Sequence, residues 1–233
     1  MMRTPGLAIA VMLATLCLQL PLPAQAAQRP LGKIASVSML GTTFHAVHVG
    51  LTVFTNAAYT AEVPEWGIDQ DTDDFLKATL APGNDSVGQL DLGSQSVEQL
   101  YEVGRTSSPQ YDSLVRMAAE QGFDTLVVVS RAAELNNRFI QPGFGLYVQY
   151  KFAYPYASFA VQVWNVKSGK RISGGFAYIS EAFPDKSLGW KAQWTDFSGE
   201  ERQRIQAGIE MHIHHELLRI LRSHGLIPEE PRP

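Results

Sequence analysis

Asp124-Thr125-Leu126-Val127-Val128-Val129 is an apolar, β-branched run that follows directly on Gly122-Phe123. A strand apolar at every position has both of its faces covered, as in a sheet lying between other layers. The residues before it read as a helix. Ser108-Pro109 opens it with proline in the first turn, where no N–H is needed. Tyr111, Leu114, Val115 and Ala118 form its apolar stripe, and Gly122 caps its end. The residues after it read as strands. Phe144, Leu146, Val148, Tyr150, Phe152 and Tyr154 alternate across about eleven residues, as one strand would. Residues 159–166 and 171–179 form a β-hairpin joined by Lys167-Ser168-Gly169-Lys170.

Toward the N-terminus, residues 33–40 alternate with period two, and residues 43–59 have the composition of a hairpin. A helix is expected from Asp69 to Leu80, with Phe75, Leu76 and Leu80 on one face and Pro82-Gly83 closing it. Residues 86–92 form a short strand candidate. Ser96-Val97-Glu98-Gln99 has the form of a capping box, opening a short helix through Val103. Ser198-Gly199-Glu200-Glu201 is a second one, opening a long helix that ends near Gly225. The order predicts an α/β (α+β) fold: a single mixed sheet with helices packed on it, a C-terminal meander and a long C-terminal helix.

Between Tyr111 and Ile179 the chain resembles three envelope domains: the periplasmic domain of the curli secretion channel subunit, the lipoprotein activators of penicillin-binding proteins, and the N-terminal domain of the Tol-system propeller protein. The carriers of the likeness are the helix, the Gly122-Phe123-Asp124 link, the buried strand and the turn in Val163-Trp164-Asn165-Val166-Lys167-Ser168-Gly169-Lys170. That turn is similar to the family's "V-x-N-x-x-T-G-E" hairpin. The resemblance implies a fold of that kind, and because the motif is a structural turn it implies little about activity. The lipobox of the channel subunits and activators is missing, residues 43–66 have no counterpart, and no functional residue carries over.

The first residues read as a secretory signal. Arg3, the apolar run from Leu7 to Leu18, the helix-breaking Pro21 and Pro23, and Ala24-Gln25-Ala26 follow one another as the three regions of a cleavable leader do. The expected division is a signal peptide over residues 1–26, one periplasmic domain over 27–227 and a disordered tail over 228–233. Cys17, the one cysteine, would leave with the leader. A mature chain without thiols forms no disulfide and uses no thiolate. A lipid-modified Cys17 is the rival processing, disfavoured by Leu16 at the preceding position. The formal net charge of −4 becomes −5 when Arg3 is removed, which gives no electrostatic reason to expect nucleic acid as a partner. No segment after the leader is apolar for long enough to span a membrane as a helix.

Motifs for catalysis are lacking: the sequence contains no G-x-S-x-G elbow, Walker loop or dinucleotide glycine pattern, and no cofactor is called for. The richest titratable cluster lies on the last helix. There His212, His215 and Glu216 have the three- and four-residue spacings of helical metal ligands. Ile205, Ile209, Ile213, Leu217 and Ile220 define the buried face of that helix, which turns His215 outward and leaves His212 and His214 flanking the core. Asp69, Asp71, Asp73 and Asp74 lack the glycine and glutamate of a calcium loop and read as carboxylates complementing a helix N-terminus. His45 and His48, three apart in an extended segment, fall on opposite faces.

Tyr147, Tyr150, Tyr154, Tyr156 and Trp164 are either the buried side of a strand or the contact surface of a projecting hairpin. The reading that follows is an exported protein of the cell envelope that binds another envelope protein, or copies of itself, without catalysis. The alternatives are a metal-binding or metal-dependent protein using the last-helix histidines, and a small-ligand carrier with a pocket beneath residues 43–66.

Overall fold

Two successions of strands run side by side through the structure, a computed structural model that describes residues 31–134 and 139–229. The expected leader and residues 230–233 of the tail lie outside the described residues. The first path is β1 (Lys33–Met39) followed by β2 (Thr43–Val49), with a corner at Gly41, whose φ is 80°. The second is β7 (Thr125–Arg131) followed by β8 (Gly143–Gln149). β1 pairs parallel with β7, and β2 pairs parallel with β8. Both stretches of the second path then pair antiparallel with one long strand, β9 (Phe152–Asn165). Its first half lies on β8 and its second half on β7.

The outer strands complete an eight-stranded mixed sheet. β4 (Ser86–Gln89) is parallel to β1, β3 (Ala57–Glu62) forms a hairpin with β2, and β10 (Lys170–Ala177) forms a hairpin with β9. Gly169, with φ 63°, makes the β9–β10 turn where the sequence places it. β8, β9 and β10 are the C-terminal meander.

α1 (Ile68–Leu80) and α3 (Gly199–Ser223) cover one face of the sheet, α2 (Tyr111–Glu120) the other. Val127 and Val129 of β7 join the core under α1 and α3, while Leu126 and Val128 join the core under α2 with Leu114 and Ala118. β7 is therefore buried at all seven positions, as its composition requires. α3 begins at the expected capping box: Glu201 N–H donates to Ser198 Oγ at 3.2 Å, and Ser198 N–H to Glu201 Oε2 at 2.8 Å. Ile205, Ile209, Ile213, Leu217 and Ile220 are all buried, so the expected apolar face is the one that packs.

Three local expectations are corrected. The Ser96 capping box forms but opens only a 3₁₀ turn, Val97–Leu100. The chain then makes a small separate hairpin of β5 (Tyr101–Glu102) and β6 (Arg105–Pro109). Pro109 ends β6 and does not start α2, which begins at Tyr111. The supposed single strand from Phe144 to Tyr154 is two strands joined by a tight turn at Tyr150-Lys151, with Gln149 paired to Phe152. A two-residue turn explains the deception. It pairs Val148 with Ala153, so even-numbered residues of β8 share a face with odd-numbered residues of β9. Phe144, Leu146 and Val148 thus enter the core under the helices. Tyr147, Tyr154 and Tyr156 gather on the opposite face with Val47 and Ile140.

Candidate functional site

Three groups of residues carry chemistry or contact potential, and the fold sets each apart. The first is on α3. His212 does not flank the core; it is fully buried, and its Nδ1 accepts from the backbone N–H of Ala157 at 3.0 Å. This bond completes the outer edge of β9. Ala153 O accepts from Asp185 N at 2.8 Å, Pro155 has no N–H to satisfy, and Phe159 onward pairs with β10. Gly208 makes the approach possible, since a Cβ there would lie 2.8 Å from Pro155 Cβ and Cγ. An accepting Nδ1 assigns the ring its neutral form, with the proton on Nε2.

His215 turns outward, its ring edge-on to Phe183 at 5.5 Å. Glu216 is buried, accepts from Arg219 Nε at 2.7 Å and lies 3.0 Å from His215 Nδ1. Arg219 also donates to Phe176 O at 2.8 Å, tying α3 to β10. His215 and Glu216 therefore contact each other, while His212 Nδ1 is spent on the Ala157 N–H of β9. Among the described residues, no group of three or more His, Cys, Asp or Glu side chains is placed to hold a metal ion.

The second group, at the β1–β2 corner, is one that the sequence did not reveal as a unit. As the chain leaves β1 its N–H groups lose their strand partners, and a carboxylate from α1 takes them. Asp69 accepts from Leu40 N at 2.7 Å, Gly41 N at 3.0 Å and Ser38 Oγ at 2.6 Å. Asp73, one turn further along α1, accepts from Ser38 N at 3.2 Å and Gln89 Nε2 at 3.0 Å. Burial pushes the Asp69 carboxyl above the usual carboxylate range, and pushes Asp73 up to about 6 against the pull of its hydrogen bonds. These aspartates hold the corner, which is more than complementing a helix dipole.

On the far side of the same corner, Arg131 pairs with Glu98 at 2.9 Å, and its guanidinium carbon sits 4.1 Å from the Tyr101 ring centroid. Tyr101 Oη donates to Met39 O at 2.6 Å and accepts from Arg131 N at 3.0 Å. Burial lifts the Tyr101 phenol to about 12 and lowers His45, which the Arg131 charge pushes the same way. Most of the polar contacts of this cluster go to the protein's own backbone or to a neighbouring side chain, the arrangement of a structural clasp. Beside it an open cleft of about 420 Å³ is lined by Ser107, Ser108, Tyr111, Arg131, Gln162 and Phe176, among others.

The third group is the end of the sheet where β2 and β8 finish side by side, with Val49 in register with Gln149. Of the five residues read as a possible contact surface, Tyr147 and Tyr156 are buried. Trp164 is half-buried and stacks on Tyr111 at 5.2 Å, on the α2 face. Tyr154 is half-buried beside Phe152. Tyr150 alone is largely outside, with 65% of its surface exposed. Its φ is 56°, the only positive value among the described non-glycine residues, at the first position of a two-residue hairpin, where glycine is favoured. The neighbouring β2–β3 tip adds Leu51, 83% exposed, and Phe54, 94% exposed, neither of which the sequence reading singled out.

Beneath residues 43–66, where a ligand pocket was expected as an alternative, Phe44, Trp66 and Trp194 pack ring against ring at 4.9–5.7 Å. No family model and no curated protein matches the chain. No helix among the described residues is long and apolar enough to cross a membrane.

Proposed function

We propose that this chain is an exported domain of the bacterial cell envelope that works by contact, and that its working surface is the sheet end carrying Tyr150, Leu51 and Phe54. The carrying observation is Tyr150. A bulky residue held in the left-handed region costs about 1–2 kcal/mol relative to glycine, and backbone strain of this kind persists where a side chain is needed in place. Here the strained backbone displays an aromatic ring to solvent beside two more exposed apolar side chains. Single exposed apolar residues are ordinary, but three on adjoining tips mark a contact region. The leader-like start of the sequence and the resemblance of its central hairpin to envelope domains supply the compartment. Another envelope component, or a second copy, is the partner.

A metal-dependent activity through His212, His215 and Glu216 gains no support from the geometry, because His212 Nδ1 is spent on the Ala157 N–H, and Glu216 is shared between His215 and Arg219. The test of the proposal is crosslinking in cells with Leu51, Phe54 and Tyr150 replaced together by serine. The variant should fold normally and lose a specific crosslinked species. An unchanged crosslinking pattern would count against the sheet end as the working surface. N-terminal sequencing of the accumulated protein should begin at Ala27.

A further inference from the structure

The two tips at the sheet end share three properties beyond exposure. First, they are free of acid. Residues 49–59 and 149–159 contain no Asp or Glu in a chain with 23 of them, and they contain one cation, Lys151.

Second, the β2–β3 tip satisfies much of its own polarity. Gly50 N donates to Asn56 Oδ1 at 3.0 Å, Thr52 N to Thr55 Oγ1 at 3.3 Å, and Thr55 N to Thr52 O at 3.0 Å. Thr55 Oγ1 donates back to Thr52 O at 2.8 Å, and His48 Nδ1 lies 3.1 Å from Thr55 O. Gly50 is required for this closure, because a Cβ there would meet Thr55 Oγ1 at 1.9 Å.

Third, behind the apolar tips stand two aromatic rings and a cation. Half-buried Phe152 and Tyr154 have rings 6.5 Å apart, with Lys151 Nζ 6.0 Å from the Phe152 ring.

Resting on the reading of this end as the working surface, we infer that what it meets is the interfacial layer of a lipid bilayer, with anionic headgroups preferred. Leu51 and Phe54 enter the boundary of the acyl region, while Tyr150 and Lys151 lie at headgroup level. A protein groove asks only for matching apolar shape. A bilayer asks in addition that backbone groups bring their own hydrogen-bond partners and that no carboxylate be carried in. It also favours aromatic and lysine side chains at headgroup depth. The tip segments meet these demands, and Asp185, the carboxylate standing behind them at Ala153, is paired with Arg204 at 3.2 Å. Two apolar side chains and one cation give a reversible attachment.

The experiment is flotation of the protein, purified from the cell fraction in which it accumulates, with phosphatidylcholine vesicles containing phosphatidylglycerol and with phosphatidylcholine vesicles alone. The wild type is expected to float with the mixed vesicles and less with the neutral ones. Leu51→Asp and Phe54→Asp should each weaken binding by about tenfold or more, the equivalent of losing one buried apolar side chain. Lys151→Glu should abolish the preference for the anionic vesicles. Val103→Asp, at a fully exposed apolar position on the β5–β6 turn, should change nothing.

Failure of the wild type to float, or flotation equal in wild type and the two tip variants, overturns the inference. If the wild type does not float but Leu51→Asp and Phe54→Asp still remove the crosslinked species in cells, the surface stands and its partner is a protein. If neither vesicles nor crosslinks respond to the tip variants, both readings fall.

Discussion

Replacing Asp73 by Asn is expected to raise stability at neutral pH and to flatten a fall in stability across the mildly acidic range. Asp73 is buried at the β1–β2 corner, where its Oδ2 accepts from Ser38 N and Gln89 Nε2. An amide oxygen can accept both bonds. Burial is the main force lifting its carboxyl from the ordinary 3.8 to about 6, and the neighbouring Asp69 charge lifts it further, while bonds from Ser38, Ser36 and Gln89 oppose the rise. Well below pH 4 the group is protonated whether the chain is folded or not. Between about pH 4 and 6 the folded protein keeps a proton that the unfolded chain has released, so stability falls as pH rises. Above pH 6 the loss is complete. A gap of about two pH units corresponds to about 3 kcal/mol at ~1.4 kcal/mol per unit.

The Asn variant cannot titrate there. Urea unfolding followed by tryptophan fluorescence at pH 4, 5, 6 and 7.5 should show the variant gaining about 3 kcal/mol on the wild type from the lowest to the highest pH. Asp69 shifts in the same direction and stays in both proteins, so the difference reports Asp73 together with its coupling to Asp69. A difference that is flat with pH, or one that shrinks as pH rises, would refute the claim that this carboxyl is held protonated by burial.

Tyr150→Gly should stabilise the fold by about 1 kcal/mol by relieving the left-handed strain while weakening contact through the sheet end; a destabilised variant in thermal unfolding would contradict the strain argument. Gly208→Val places side-chain atoms against Pro155 and should cost about 1–3 kcal/mol by lifting α3 from the β9 edge, read as a lower unfolding midpoint. His212→Ala leaves the buried Ala157 N–H without its acceptor, at about 1–3 kcal/mol, and opens a cavity as well. Amide hydrogen exchange at Ala157 should accelerate in that variant, and equal protection would argue against the bond.

The elements set by local pattern were legible in the sequence. The all-apolar composition of β7, the isoleucine and leucine stripe of α3 and the Ser198 capping box each depend on residues close in sequence. What escaped depends on partners distant in sequence. Asp69 and Asp73 looked like an acidic helix start, because nothing near residue 69 shows that Leu40 and Gly41 will need acceptors there. His212 looked like a flanking residue, because the gap it fills lies on a strand more than fifty residues earlier. The alternation from Phe144 to Tyr154 was real, yet it ran through a turn that swapped its faces. Of the five aromatic residues read as a contact surface, Tyr150 alone is largely exposed, and the shape of its turn was not visible in composition.

The position of β1 has a consequence for the order in which the molecule is assembled. This strand lies between β4 and β7, and Lys33 bonds to Asp124, 91 residues away in sequence. A chain that emerges N-terminus first therefore produces an interior strand of its sheet long before β7, the neighbour that joins it to the rest. The meander of β8, β9 and β10 has only short loops to close, and is the natural place for a folding nucleus to form. β1 is then expected to join β7 late, and β4, which pairs with β1 alone, later still. Until β1 does, six consecutive buried residues, Ile34–Met39, remain open to any stray edge. Folding yield, more than final stability, should thus be most sensitive to changes in this first strand.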